Sequence, residues 1–392
     1  MSLPPPLDWR EAAIGPGPDV PMDRRVTRDN WRRWPFTRWA FQHARELVPS
    51  RALPRAEQPA PLMERPIDTA TLSIEDGEGG QLDFDGFLER AYADALIILH
   101  RGAVLVEHYA NGMTPATPHM AFSITKSLIG LVAERLIAAG ALDPDLRAGD
   151  VVPELRPSGF AGATLRQLLD MTDGAAFDED YANPDADVHR YSAAYWTPAA
   201  GHGGVLAALP GLVGSDAPPG QSFRYRTPVG DVVGWMLRRA TGKALAMLVA
   251  EQIWLPAGCG DEAYMLVDTA GMEIAGTGFN ATAQDLARLA LWLMAPSQRA
   301  LVERLLAGGD RALWAAAMPP RPANGSYRSF WWIDHAATPA LAANGVYGQR
   351  LWIAPDESLA VIAFGSHPIV SNRFTDSLYD GLFKSLLDHL SE

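Results

Sequence analysis

The spacing of apolar residues predicts a helix that begins directly after Ser123 and ends near Gly140. Seven apolar side chains recur there at helical spacing, and a glycine is a common residue just past a helix end. The stripe consists of Ile124, Leu128, Ile129, Leu131, Val132, Leu136 and Ile137. We therefore expect Ser123 at the amino-terminal end of a helix with one apolar face.

Two apolar runs before this helix predict a β-hairpin. Residues 95–100 and 103–109 are rich in Leu, Ile and Val, and only Arg101-Gly102 separates them. A two-residue link that ends in glycine is typical of a hairpin turn. The helix after Ser123 should therefore follow an antiparallel pair of strands.

The second half of the chain predicts further helices and three more strands. Helices are expected over 228–240, with proline in the first turn and glycine after the end, over 283–294, and over about 374–390. The strands are expected at 330–333, 349–354 and 359–364. Because strands lie near both ends and helices lie between them, we expect one sheet built from both ends of the chain.

Composition and charge narrow the class of protein. The chain has 392 residues, of which 48% are hydrophobic, and this is enough for one large domain or two interleaved ones. A net charge of −13 and a pI near 5.2 argue against nucleic acid or an anionic membrane as a partner. Neither nucleic acid nor a membrane is therefore expected as a partner.

Cysteine content and apolar runs give expectations about location. The single Cys259 excludes an internal disulfide and a cysteine-ligated metal site. No run is apolar enough to span a bilayer, and residues 1–20 lack the basic start and apolar core of a signal peptide. We expect a cytoplasmic protein.

The spacing of Ser123 and Lys126 is the strongest chemical signal. Residues three apart lie on one helix face, so the lysine amine can reach the serine hydroxyl. A desolvated amine can remove the hydroxyl proton, whereas an arginine does not deprotonate in proteins. The chain has three lysines against thirty arginines, and Lys126 alone has a serine three residues before it.

Other catalytic patterns are missing or incomplete. The sequence contains no Gly-x-Ser-x-Gly, no His-Glu-x-x-His and no glycine pattern for nucleotides. The acidic residues at 178–187 have Ala182 where a calcium loop needs an oxygen ligand. We interpret this run as a solvated loop and expect no metal and no cofactor.

Two tyrosines have both a functional and a packing interpretation. Tyr225 precedes the helix expected at Pro228, where a phenol near a lysine could transfer protons to a leaving group. A half-buried packing tyrosine is the plainer alternative. The same alternative applies to Tyr181 in the acidic loop.

Three segments together resemble the serine β-lactamase-like family, in the branch that includes class C β-lactamases, family VIII carboxylesterases and 6-aminohexanoate-dimer hydrolases. Ser123-Ile124-Thr125-Lys126 matches the family's Ser-x-x-Lys, and Tyr225-Arg226-Thr227 stands where class C enzymes have Tyr-x-Asn. Residues 276–288 are similar to the family segment that leads into the helix after the insertion. The resemblance extends from about Trp39 to the end of the chain.

This resemblance implies an α+β fold of the β-lactamase/transpeptidase-like kind, with an antiparallel sheet flanked by helices and a helical insertion domain. On this chain it implies an irregular amino-terminal arm at 1–65. Residues 66–155 and 285–392 would form the α/β domain, and residues 156–284 the mainly helical insertion.

The resemblance also implies a mechanism through an acyl-enzyme. Ser123 would attack the carbonyl carbon, while Lys126 and Tyr225 would share the proton transfers. Backbone N–H groups of Ser123 and of Val346, or alternatively Tyr347, would stabilise the oxyanion.

Within the family, the chain is most similar to the nylon-oligomer hydrolases, through residues 38–41, 46–50, 179–181, 325–327, 331–332 and 348–349. In those enzymes a tyrosine that matches Tyr181 contacts the scissile amide. The resemblance implies substrate contacts from Tyr181, Thr227, Gly276, Trp331, Trp332 and Tyr347.

Two departures from the family pattern bear on the substrate. The third motif, near 343–345 or 347–349, lacks its lysine, and Thr227 replaces the asparagine of class C enzymes. Both favour linear amides of the 6-aminohexanoate type and short-chain esters over penicillins. The alternatives are a carboxylesterase or a β-lactamase/DD-peptidase-like hydrolase without nylon-oligomer activity, or a non-catalytic binding protein. A homodimer is compatible with each.

Overall fold

The fold is described from a computed structural model that covers residues 3–196, 203–317 and 324–391. The strands in chain order are β1 (Ser50–Ala52), β2 (Met63–Glu64), β3 (Ile74–Glu75), β4 (Gln81–Leu82), β5 (Ala93–His100), β6 (Ala103–Tyr109), β7 (His119–Met120), β8 (Tyr264–Leu266), β9 (Phe279–Ala281), β10 (Gly325–Arg328), β11 (Trp331–Asp334), β12 (Ala340–Gly345), β13 (Gln349–Ala354) and β14 (Leu359–Gly365).

The helices come mainly from the middle and the end of the chain. In order they are α1 (Thr37–Ala40), α2 (Ala44–Leu47), α3 (Phe84–Arg90), α4 (Ile124–Ala138), α5 (Ala148–Val151), α6 (Leu165–Leu169), α7 (Asp187–Trp196), α8 (Val205–Ala208), α9 (Thr227–Thr241), α10 (Leu245–Val249), α11 (Ala283–Met294), α12 (Arg299–Leu306), α13 (Arg311–Ala317) and α14 (Arg373–Ser391). Among the described helices, none combines the length and the apolar character needed to cross a membrane.

The main sheet takes strands from both ends of the chain. It has eight strands in the order β10-β11-β12-β13-β14-β5-β6-β2. Neighbouring strands are antiparallel, as expected, except for the edge pair of β2 and β6, which is parallel. The predicted hairpin joins β5 to β6, and Arg101 and Gly102 both have positive φ, as a tight hairpin turn requires.

Two strands near the carboxyl end of this sheet do not follow from the sequence pattern. β10 reads Gly-Ser-Tyr-Arg and β12 reads Ala-Leu-Ala-Ala-Asn-Gly, and both are poor in β-branched residues. The expectation of only three strands near the carboxyl end was therefore wrong. β12 is extended because it is hydrogen-bonded between β11 and β13, which is a tertiary effect rather than a local preference.

Helices cover both faces of the sheet, and this explains the uninterrupted apolar run of β5. Ile97 and Leu99 face the core that contains α4, whereas Leu96 and Ile98 face the core formed with α3 and α14. All four side chains are fully buried. An apolar residue is therefore favoured at every position of the strand.

α4 lies inside the molecule, and 12 of its 15 residues are buried. The expectation of a single apolar face was thus too narrow. A Cβ at Gly130 would clash with the carbonyl oxygen of Ser329, so the loop before β11 packs directly against the helix backbone. The Ser127 hydroxyl donates to the carbonyl oxygen of Phe330 (2.7 Å) and fixes this contact.

A second, four-stranded sheet in the order β1-β8-β9-β7 was not predicted, because its strands are two or three residues long. Its pair of β7 and β9 matters for the site. β7 ends shortly before Ser123, and β9 begins shortly after Gly276. The pairing of Met120 with Asn280 therefore brings these two segments together.

Candidate active site

Ser123 is the residue directly before α4, and its side chain makes no capping hydrogen bond to the helix. It follows Phe122, which has a φ of 47°, a left-handed conformation that is uncommon for a residue other than glycine. The Nζ atom of Lys126 lies 3.0 Å from the Ser123 Oγ atom. The expected Ser–Lys contact across one helical turn is present.

Lys126 is fully buried, and its amine is held from three directions. Besides the Ser123 hydroxyl, the Nζ atom donates to the carbonyl oxygen of Gly276 (2.6 Å) and, over a longer 3.5 Å, to the hydroxyl of Thr227. The amine also lies 5.1 Å from the ring centroid of Tyr225. Its position beside Ser123 is therefore fixed by segments that are far apart in sequence.

Thr227 connects Lys126 to the carboxylate of Glu179. The backbone N–H of Thr227 donates to Glu179 (2.7 Å), and so does its hydroxyl. The hydroxyl of Tyr181 also donates to Glu179 (3.1 Å). Burial raises the pKa of the Glu179 carboxyl, while the charge of Lys126 and the Thr227 bonds act in the opposite direction.

This position of Glu179 corrects the interpretation of the acidic run as a solvated loop. Asp178 and Asp180 are exposed, as expected, but the Glu179 carboxylate points inward. The first N–H groups of a helix have no partner within that helix and favour negative charge, and Glu179 supplies it at the start of α9. No feature of the sequence near Glu179 predicts its contact with Thr227.

Asp231 holds the other side of the lysine pocket. It is 1% exposed and accepts hydrogen bonds from the N–H of Gly276 (3.0 Å) and from the hydroxyls of Tyr191 (2.8 Å) and Tyr195. Burial raises the pKa of Asp231 to about 6, although these bonds and Lys126 lower it. Asp231 was not predicted as a site residue, although an aspartate within the apolar run of α9 could have indicated it.

Tyr225 contacts the lysine through its ring rather than its hydroxyl. The ring stacks on Trp332 at 5.6 Å between centroids, with 18° between the planes. Among the described residues, no hydrogen bond joins the Tyr225 hydroxyl to Ser123 or Lys126. The next residue, Arg226, is fully buried and pairs with Asp173 (3.4 Å), which anchors the segment that carries Tyr225.

The turn after β12 distinguishes the two candidate oxyanion donors. The backbone N–H of Tyr347 donates to the carbonyl oxygen of Val370 (3.0 Å), so Tyr347 is already engaged. Val346 begins this turn, and its N–H has no acceptor within the described residues. Of the two alternatives, the geometry favours Val346.

The two neighbouring tryptophans have different environments. Trp331 has no exposed surface, and its indole N–H donates to the carbonyl oxygen of Ser127 (3.2 Å) in α4. The expectation that Trp331 contacts substrate is therefore corrected: it supports the helix. Trp332 is half-buried and stacks on Tyr225, so it lies on the side of the candidate site.

Two further tyrosines lie at the outer side of this cluster. Tyr181 is 38% exposed, although its hydroxyl is bound to Glu179 inside. Tyr347 is 7% exposed, and its hydroxyl donates to the carbonyl oxygen of Arg32 (3.1 Å) in the amino-terminal arm. No feature of the sequence predicted that Arg32 lies beside Tyr347. In the ranges that the structure covers, no three or more His, Cys, Asp or Glu side chains are grouped so as to hold a metal ion.

The fold and this arrangement define the class: a serine hydrolase of the Ser-x-x-Lys type, with the pair at the start of a buried helix beside an antiparallel sheet. The family model described as Beta-lactamase matches residues 84–376. The chain therefore belongs to the β-lactamase family. It is also 30% identical over 371 residues to the 6-aminohexanoate-dimer hydrolase of Paenarthrobacter ureafaciens, covering 91% of this chain and 92% of that protein.

Solved structures agree with this family membership. A Bacillus anthracis protein provisionally described as a 6-aminohexanoate-dimer hydrolase is 27% identical, with a TM-score of 0.84 over 95% of this chain and 99% of that one. EstCE1, described as a hydrolase with promiscuous acyltransferase activity, shares the fold at 19% identity, with a TM-score of 0.58 over 76% of this chain and 95% of that one. The chain is a β-lactamase-fold hydrolase.

Proposed function

We propose that this hydrolase cleaves linear amides of the 6-aminohexanoate oligomer type and short-chain carboxylic esters through an acyl-enzyme on Ser123. The observation that carries the proposal is the 3.0 Å contact between the Ser123 hydroxyl and the fully buried amine of Lys126. A hydroxyl needs such a base to become a nucleophile, and an amine is a base only when it has lost its proton.

In the first step, neutral Lys126 takes the Ser123 proton while the Oγ atom bonds to the substrate carbonyl carbon. The carbonyl oxygen becomes negatively charged and accepts hydrogen bonds from the N–H groups of Ser123 and Val346. One such donor contributes about 3–4 kcal/mol to the transition state. The unengaged N–H of Val346 supports this role.

In the second step, the bond to the leaving group breaks, and the proton held by Lys126 is passed to the leaving nitrogen or oxygen. An amide needs this proton more than an ester does, because the departing amine is a poor leaving group. The Tyr181 hydroxyl, held by Glu179, is the candidate for positioning the scissile amide. Lys126 then takes a proton from a water molecule whose oxygen bonds to the acyl carbon. The bond from that carbon to the Ser123 Oγ atom breaks, the carboxylic acid leaves, and Lys126 returns the proton to the Oγ atom, which restores Ser123.

The substrate class rests on two observations of different kinds. The relatives at 30% and 27% identity are both described as 6-aminohexanoate-dimer hydrolases and span nearly the whole chain. The third family motif lacks the lysine that binds the carboxylate of penicillins. Both support a linear amide over a β-lactam.

Parallel assays of the purified protein test this proposal. We expect turnover of the 6-aminohexanoate linear dimer and of p-nitrophenyl butyrate, with little turnover of nitrocefin, and loss of all activity in Ser123→Ala with unchanged thermal unfolding. Turnover of nitrocefin without turnover of the dimer would favour the β-lactamase alternative, which the family match keeps open. Ester hydrolysis retained by Ser123→Ala would contradict the mechanism.

A covalent probe separates an enzyme from a binding protein on the same fold. A fluorophosphonate should add to the Ser123 peptide as a mass shift, and Lys126→Met should suppress that labelling because the base is gone. A folded protein with neither adduct nor ester turnover would support the non-catalytic alternative.

A further inference from the structure

Arg32, in the amino-terminal arm, lies against two tryptophans from different parts of the chain. Its guanidinium carbon is 5.7 Å from the ring centroid of Trp31 and 5.7 Å from that of Trp196, at the end of α7. The two rings are nearly perpendicular, with 82° between their planes. Aromatic faces hold a guanidinium group without neutralising its charge, and they limit its motion.

The charge of Arg32 has no carboxylate partner in the part of the chain that the structure describes. Its electrostatic neighbours are the phenols of Tyr347 and Tyr181 and the like charge of Arg33. Arg32 is an exposed residue, so a ligand can approach it from solvent. A guanidinium that is held in place without a counter-ion is available to bind an anionic group of a ligand.

Contacts relate Arg32 to the candidate active site on two sides. The Tyr347 hydroxyl donates to the Arg32 carbonyl oxygen (3.1 Å), and the Tyr347 ring lies 5.3 Å from that of Phe122, the residue before Ser123. Tyr181, the other phenol near Arg32, is bound to Glu179 in the lysine pocket. Arg32 is therefore close to the oxyanion turn and to the tyrosine proposed to position the amide.

We propose that Arg32 binds a carboxylate on the departing half of the substrate, and so takes the place of the lysine that the third family motif lacks. The inference rests on the proposed function and specifies its substrate: an amide or ester whose leaving group ends in a carboxylate, as an ω-amino acid does. Arginine is suited to this task, since its guanidinium fork can bind both carboxylate oxygens at once.

Two matched esters test the subsite: 4-butanoyloxybenzoate and 4-butanoyloxybenzamide, which share the acyl group and differ in the charge of the leaving group. We expect Arg32→Gln to lower kcat/KM for the benzoate by about tenfold or more, mainly through KM, because a bond to a charged partner is lost. The effect on the benzamide should be much smaller. Arg32→Lys should fall between, and Arg33→Gln, the control in the same arm, should leave the ratio of the two substrates as it is.

The outcomes distinguish this inference from the proposed function. Equal loss on both esters, or no loss on either, in Arg32→Gln overturns the subsite and leaves the hydrolase proposal intact. Wild-type protein that turns over neither ester above the Ser123→Ala background contradicts the hydrolase proposal instead. Calorimetric titration of Ser123→Ala with the linear dimer then tests the subsite without turnover: adding Arg32→Gln should weaken binding about tenfold, and equal affinity overturns the inference.

Discussion

Replacing Thr227 with valine removes one hydroxyl from the path between Lys126 and Glu179 and little else. That hydroxyl accepts from the Lys126 amine (3.5 Å) and donates to the Glu179 carboxylate. Valine has nearly the same shape, and the backbone N–H of residue 227 would still donate to Glu179. The substitution therefore tests the hydroxyl rather than the packing.

The expected loss follows from the two bonds that disappear. A hydrogen bond to a charged group contributes roughly 1.5–3 kcal/mol, which corresponds to about 10- to 150-fold in a rate. Because the Lys126 contact is long, we expect the lower end: about a tenfold loss of kcat/KM in Thr227→Val. Glu179 keeps two donors, the N–H of residue 227 and the hydroxyl of Tyr181, so the fold should persist with about 1–2 kcal/mol less stability.

The assay is p-nitrophenyl butyrate hydrolysis over a range of pH, with Thr227→Ser as the matched control. The lost hydroxyl favoured the ionised form of Glu179, so the pKa of that carboxyl should rise further in Thr227→Val. Thr227→Ser should stay near wild type. Wild-type kinetics in Thr227→Val, or equal damage from both substitutions, would refute a role for the hydroxyl.

The remaining predictions concern the groups around the lysine. Gly276→Ala places a Cβ 2.6 Å from the hydroxyl oxygen of Tyr195, and should cost about 1–3 kcal/mol of stability as well as activity. The control Gly162→Ala meets nothing within 4 Å, and should change neither thermal unfolding nor ester hydrolysis. Lys126→Arg should lose at least about 100-fold in ester turnover, because a guanidinium cannot accept the proton, and substantial residual rate would contradict the base. Tyr181→Phe should depress dimer hydrolysis far more than p-nitrophenyl butyrate hydrolysis, and a parallel fall would indicate that it only packs the loop. The pKa of Asp231 is about 6 in the folded state and near 4 in the unfolded state, so its stabilising contribution is complete below pH 4 and is lost as pH rises through 6. In denaturation experiments, wild type should therefore lose about 3 kcal/mol of stability relative to Asp231→Asn between roughly pH 4 and pH 7. A constant difference between the two proteins would contradict that pKa.

Most of the correct predictions followed from the spacing of side chains within a single helix or hairpin. The helix after Ser123, the hairpin of β5 and β6 and the helix of α9 all follow from apolar periodicity and turn residues, which act within a few positions of the chain. The contact of Ser123 with Lys126 belongs to this group, because both residues sit on one helix and its geometry alone brings them together.

Contacts between residues that are far apart in the sequence could not be predicted in this way. Glu179 reaches Thr227 over 48 positions, and Lys126 reaches Gly276 over 150, so their contacts exist only once the strands and helices have packed. The extended state of β12, the burial of Trp331 and the position of Arg32 beside Trp196 have the same origin. The sequence by itself determined which residues could carry the chemistry, because helical spacing is local. Only the tertiary structure decided which charges surround that chemistry, because burial and long-range contact are properties of the packed chain.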